Sequence, residues 1–349
     1  MFYVPMCFKK MCLRINAYKM SKLLYAIFMI ALISISWLPP KTKKITVAAD
    51  GTGDFTTIQA AISSLNTVKD STIKYTIFIK KGTYNERVFI EKNNIILRGS
   101  SESDVKIIQS ISRDMYRCEH PDDWGVATIN IRANDITLEN LTVLNNFGFD
   151  AKGDSTFICK GKEKITRRDG HQMALRCMPP CTRLMVKNCI FRALGGDTVS
   201  PWDLDNGMYI FKNCTMEGGV DFYCPRGWSW AENCTFICHN MNAAIWHDGT
   251  GNQTAKTVLK NCIFKGDTGY KLGRYHRDAQ FFLINCQFSK DMADAPIYKV
   301  RKDTVLQWEH RVYYNNCHRE SGDFQWFSDN LSNADAGKIS IKTTFEGRW

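Results

Sequence analysis

The chain has 349 residues, 44% of them hydrophobic, and a formal net charge of +11. This composition excludes a disordered polymer and allows either one large domain with a sizeable core or two ordinary ones. Residues 1–40 hold five basic side chains and no acidic one, leaving +6 on the rest, an excess that suits an acidic polymer as partner as well as plain solubility.

At the start of the chain, Lys9, Lys10, Arg14, Lys19 and Lys22 precede an apolar run at 23–38, with Ser34 and Ser36 near its end. A basic opening, an apolar stretch and small residues after it read as a secretory signal over 1–40, with Met20 as a second candidate start. The run falls short of the roughly 20 residues that span a bilayer, so a secreted or periplasmic protein without stable membrane insertion is expected.

From Ile45 a short strand and a glycine-rich turn lead to Phe55, Ile58, Ala61, Ile62 and Leu65. Their helical spacing, with Asp54 or Thr56 as cap, predicts one amphipathic helix able to plug the open end of a β-rich body. Strand patterns follow from Tyr75, Arg87, Val105 and Ala127, rich in β-branched residues and broken by Gly, Asn or Asp. No further strong helical pattern follows Leu65.

Then a motif returns. Asn-Cys pairs place cysteines at 189, 214, 234, 262, 286 and 317, at intervals of 25, 20, 28, 24 and 31 residues, and Asn140-Leu141 occupies the same slot earlier. A strand-like unit recurring at this spacing predicts a solenoid, specifically a right-handed single-stranded parallel β-helix over 41–349, a single domain. Coils about 4.8 Å apart turn one position per coil into a column. The asparagines should bond to one another along it, and the cysteines should stack inward as free thiols. Among the other cysteines, Cys177 with Cys181, Cys224 with Cys238, and Cys118 with Cys159 are candidate pairs. His239, His247 and His276 lack metal-ligand spacing with them, so no metal site is expected. Segments 150–169 and 199–206 read as inserts that wall a groove, and 323–349 as a tail along the outside.

Gln172, Asp197 and Asp221 lie 25 and 24 residues apart, with Arg274 a further 53 on, about two coils. An amide, two carboxylates and a guanidinium at one phase predict a catalytic cluster. Two neighbouring carboxylates do not both ionise cheaply, so one holds a proton while the other, paired with arginine, stays charged.

Several motifs carry a resemblance. The opening VAADGTGDFTTIQAAI, then FIKKGTYNERVFI with NIILRG, HQMALR, GGDT, GGVDFYCP and KLGRYH resemble successive signatures of the pectin methylesterases, carbohydrate esterase family eight, over about 45–288. The resemblance implies a cofactor-free ester hydrolase acting on an acidic plant polysaccharide, pectin or a related uronide, as a monomer, with no nucleic-acid partner. It gives Asp221 as nucleophile, Asp197 as acid then base, Gln172 as oxyanion donor and Arg274 as the residue holding Asp221. Where the family reads QDT, this chain has Gly196 before Asp197, which removes one side-chain donor. Arg226 and Trp228 are candidate replacements. Tyr275 and His276 stand where the family has the aromatic of LGRPW, and Tyr223, Trp202 and Trp228 join them as candidate sugar contacts. Gly196 also motivates a second reading, a β-helix that binds polysaccharide without turnover. A calcium-dependent lyase ranks last, since no suitable acidic cluster is visible.

Overall fold

The computed structural model describes residues 42–66, 73–301, 303–327 and 330–349; the signal-peptide reading of 1–40 lies outside them. Thr42–Trp349 form one compact unit, built of strands that pair in parallel from coil to coil. The exception is an antiparallel hairpin, Ser155–Cys159 with Lys162–Thr166. This is a parallel β-helix, and the helix Ile58–Ser63 lies against its first coils, burying Ile58, Ala61 and Ile62 in the main core. Its cap is Thr57, whose side chain accepts from Ala60 N–H, and the Glu86 carboxylate accepts from the N–H groups of Ile58 and Gln59. Anionic oxygens suit a helix N-terminus because the first N–H groups have no partner within the helix.

The repeat seen in the sequence sets the coil. Asn140, Asn188, Asn213, Asn233, Asn261, Asn285 and Asn316 all adopt left-handed backbone with φ between 50° and 57°. Each amide from Asn188 onward donates to the side-chain oxygen of the asparagine one coil back, at 2.9 to 3.3 Å. Asparagine tolerates this conformation better than other side chains, and the ladder satisfies the polar groups that the turn exposes. Next to it the six repeat cysteines are buried and free. Their thiols donate to backbone carbonyls, and burial pushes Cys189 up to about 12, so they pack as small apolar groups. Inside, Phe236, Phe264, Phe288 and Phe327 stack with centroids 4.5, 5.4 and 5.2 Å apart, close to the coil rise.

A second face carries the residues of interest. Val88–Ile90, Ile129–Ile131, Leu175–Cys177 and Val199–Pro201 pair in sequence. The column continues through single bridges at Tyr223 to Ala243–His247, Lys271–Tyr275 and Tyr298–Lys299. Val199 to Pro201 are thus a strand of this face, and the second expected insert shrinks to the loop after it. Of the candidate cysteine pairs, Cys118 with Cys159 is the disulfide, tying the hairpin to the short helix Arg113–Glu119; Cys177, Cys181, Cys224 and Cys238 are free.

That helix, Phe147–Asp150, Asn333–Lys338 and Ile341–Thr344 are short and bury at most one residue each, so no apolar stripe marks them in the sequence. The last two belong to the tail, which packs Ile339, Ile341, Phe345 and Trp349 on an outer apolar patch of Met208, Ile210, Trp228, Trp230, Phe282 and Ile284. Among the described residues no helix is long and apolar enough to cross a membrane.

Candidate active site

Asp197 and Asp221 occupy equivalent turns of consecutive coils, and both are left-handed, φ 57° and 54°. Strain of about 1–3 kcal/mol per such residue persists only where surroundings enforce it. Here neighbouring coils pack tightly against the backbone just before Asp197. A Cβ at Gly195 would lie 1.8 Å from Gly170 O, and one at Gly196 2.6 Å from Val220 O, so the coils close on bare backbone and the carboxylates are presented at fixed height. Each aspartate is 7% exposed.

Arg274 holds Asp221 by two bonds, Nε to Oδ1 at 2.9 Å and Nη2 to Oδ2 at 2.7 Å. Burial pushes the Asp221 carboxyl above the ordinary carboxylate range, and Asp197 adds to this, while Arg274 pulls it back. The fork geometry decides where negative charge sits, because a bidentate guanidinium favours the ionised carboxylate over any neutral form. The surroundings of Asp197 are looser: Cys224 Sγ at 3.3 Å, Ser200 Oγ at 3.5 Å, and Arg226 Nη2 and His171 Nε2 at 3.8 Å.

Arg226 is committed beneath the surface. Its Nε donates to Asp248, its Nη1 to Ser200 Oγ at 2.9 Å. Arg176, also bound to Ser200, runs between Asp123 and the ring of Trp202. Trp202 thus lies over two guanidiniums, at 4.4 and 5.0 Å from its centroid, with 37% of its surface open. His276 borders the same face, edge-on to Trp246 at 4.4 Å, and Trp246 in turn covers Arg274.

Of the four residues expected in the cluster, the structure brings together Asp197, Asp221 and Arg274. Gln172 is not with them. It is 1% exposed, its Oε1 accepts from Gly148 N–H, and its Nε2 donates to Arg168 O. Successive strand residues face opposite sides, and the side chain beside Asp197 is the preceding one, His171, bridged to Gly196. The sequence held the signal: counting back from Leu175-Arg176 in HQMALR puts His171, not Gln172, first in the motif.

A Pectinesterase family model matches residues 44–175. "Putative pectinesterase 11" of Arabidopsis thaliana is 32% identical over 320 residues, covering 87% of this chain and 79% of that one. This chain belongs to the pectinesterase family. It is therefore an esterase by family. Among solved structures, the pectin methylesterase of Erwinia chrysanthemi superposes with a TM-score of 0.70 at 21% identity, over 87% of this chain and 97% of that one. A pectin methylesterase solved in complex with a hexasaccharide gives the same figures. These likenesses show the fold, a parallel β-helix.

Three expected sugar contacts of this pectinesterase lie elsewhere. Tyr223 is an interior residue, its hydroxyl on Ser229 Oγ at 2.7 Å, and Tyr275 is buried with its hydroxyl on His310. Both sit in inward positions of strands whose outward neighbours, Cys224 and Arg274, face the site. Trp228 is fully buried on another sheet, under Arg348 and the tail. Trp228→Ala should therefore cost about 3–5 kcal/mol of stability, as large core truncations do, and leave the KM of the folded enzyme unchanged; thermal melting and kinetics on the same sample check both.

Proposed function

We propose that this chain hydrolyses methyl esters of a pectic galacturonate polymer or a related uronide, with Asp221 as nucleophile and Asp197 as acid and then base. The Asp221–Arg274 fork beside a second, loosely held carboxylate carries the reading. The fork keeps one carboxylate ionised and aimed, while its neighbour is free to exchange a proton.

In the first half-reaction an Asp221 oxygen bonds to the ester carbonyl carbon and the C=O electron pair moves onto oxygen. Collapse re-forms C=O and breaks the bond to methoxide, which takes a proton from Asp197 and leaves as methanol. In the second, water attacks the acyl-enzyme, Asp197 takes its proton, and Asp221 departs as carboxylate. Ester and water become acid and methanol, and both aspartates return to their starting states. No step draws on a cofactor.

Trp202 offers an open ring on which a sugar face can stack, and His276 lies near the same edge. The disulfide between Cys118 and Cys159 supports a secreted or periplasmic location, where such bonds persist. Incubation of the purified protein, as a monomer by light scattering, with methylated pectin should release methanol stoichiometric with new carboxylates. Polymer binding without methanol release would replace this reading by that of a binding protein.

A further inference from the structure

Acyl transfer at Asp221 creates an oxyanion, and a donor must stand ready for it; one such donor is worth about a factor of 10² to 10³ in kcat. The side-chain donors around the two carboxylates are nearly all committed. Arg274 places two donors on Asp221. Arg226 gives Nε to Asp248 and Nη1 to Ser200, and its remaining Nη2, 3.8 Å from Asp197, sits on a side chain only 7% exposed; Arg176 is bound to Ser200 and Asp123. The Cys224 thiol points at Asp221 O, and Gln172 Nε2 at Arg168 O. His171 differs. Its side chain is 43% exposed, and Nε2 stands 3.8 Å from Asp197 Oδ1, close enough to share the site but too far to be used up by that oxygen.

Gly196 explains how the ring comes to lie there. The direction a Cβ would take from Gly196 ends 3.4 Å from His171 Cδ2, and Val220 O at 2.6 Å bars any side chain from that position. The imidazole of the adjacent coil thus covers the face that Gly196 leaves bare, with Nε2 3.8 Å from Asp197 Oδ1. Resting on the esterase reading above, we propose that His171 is a catalytic residue that holds the oxyanion through Nε2–H while the bond to Asp221 forms and breaks. The electron pair pushed from C=O onto oxygen is met by this N–H and returns when methoxide leaves; His171 itself neither gains nor loses a proton in the cycle.

The test compares wild type, His171→Ala, His171→Gln and Asp221→Asn on methylated pectin by methanol release. His171→Ala should lower kcat about 100-fold with KM nearly unchanged, the split that marks an interaction made in the transition state. His171→Gln, which keeps an N–H donor on the same side, should recover most of that loss, and added imidazole should restore part of the activity of His171→Ala. A wild-type kcat in His171→Ala would overturn the inference, as would a loss confined to KM. So would His171→Gln no better than His171→Ala at equal melting temperature, or no response to imidazole. If those results come with an inactive Asp221→Asn, the esterase reading stands and only the role of His171 falls; if wild type releases no methanol, both fall.

Discussion

Asp221→Asn should abolish methanol release, with kcat down by about 10⁴ or more, as loss of the covalent nucleophile does in other hydrolases. The fold should survive it. Asparagine is nearly isosteric with aspartate, and it takes the same left-handed conformation elsewhere in the coils, at Asn213 and Asn233, φ 53° and 54°. The amide oxygen still accepts from Arg274, and a buried carboxylate that burial disfavours is gone. A circular dichroism spectrum and melting curve matching wild type, next to the lost activity, separate chemistry from unfolding. Asp197→Asn should differ in kind. Nitrophenolate leaves an ester without needing a proton, so this variant on a nitrophenyl ester should give one burst of product per enzyme and then stall, since deacylation still needs a base. Equal residual rates in the two variants would overturn the division of labour between them.

The parts of this molecule legible in its sequence are those that repeat. A β-helix coil must close on itself at each turn, and one conformation with φ above zero recurs at that point, so Asn-Cys returns at coil spacing and marks the scaffold. The same regularity put Asp197 and Asp221 one coil apart and Arg274 two coils on, and those three meet. What was not legible turned on parity. A shift of one residue along a strand sends a side chain to the opposite face, and matching Gln172 by residue type rather than by position made that shift. Parity also argues against Tyr275 once Arg274 faces the groove, because neighbours on one strand cannot both do so. Trp228 failed for another reason. Its outward position is correct for a surface strand, but the tail that covers it comes from more than a hundred residues later, and nothing local foretells that contact. Arg226, expected at the substrate, lies under Trp202 and bound to Asp248, a partner one coil further on, with its Nη2 still 3.8 Å from Asp197.

Removing Arg274 tests the electrostatics more sharply than removing either aspartate. Breaking a buried pair costs about 3–5 kcal/mol if the remaining charge stays ionised. Asp221 has an alternative, because a carboxyl can avoid the cost by taking a proton. In the wild type burial already holds the Asp221 carboxyl above the usual 3.8, with Arg274 opposing. In Arg274→Gln the opposition is gone and the carboxyl moves further up. The nucleophile acts only when ionised, so activity is present above this pKa and lost as pH falls through it; the acid limb of kcat/KM should therefore shift to higher pH. Stability runs the other way. A native carboxyl that binds its proton more tightly than the unfolded chain makes the fold gain stability as pH falls from the raised value toward 3.8, and the gain should be larger in Arg274→Gln than in wild type. At neutral pH the variant should lose about 10² to 10³ in kcat, part of which returns at higher pH as Asp221 ionises again. An acid limb that stays where wild type has it, with kcat reduced uniformly, would mean that Arg274 only orients Asp221 and does not hold its charge.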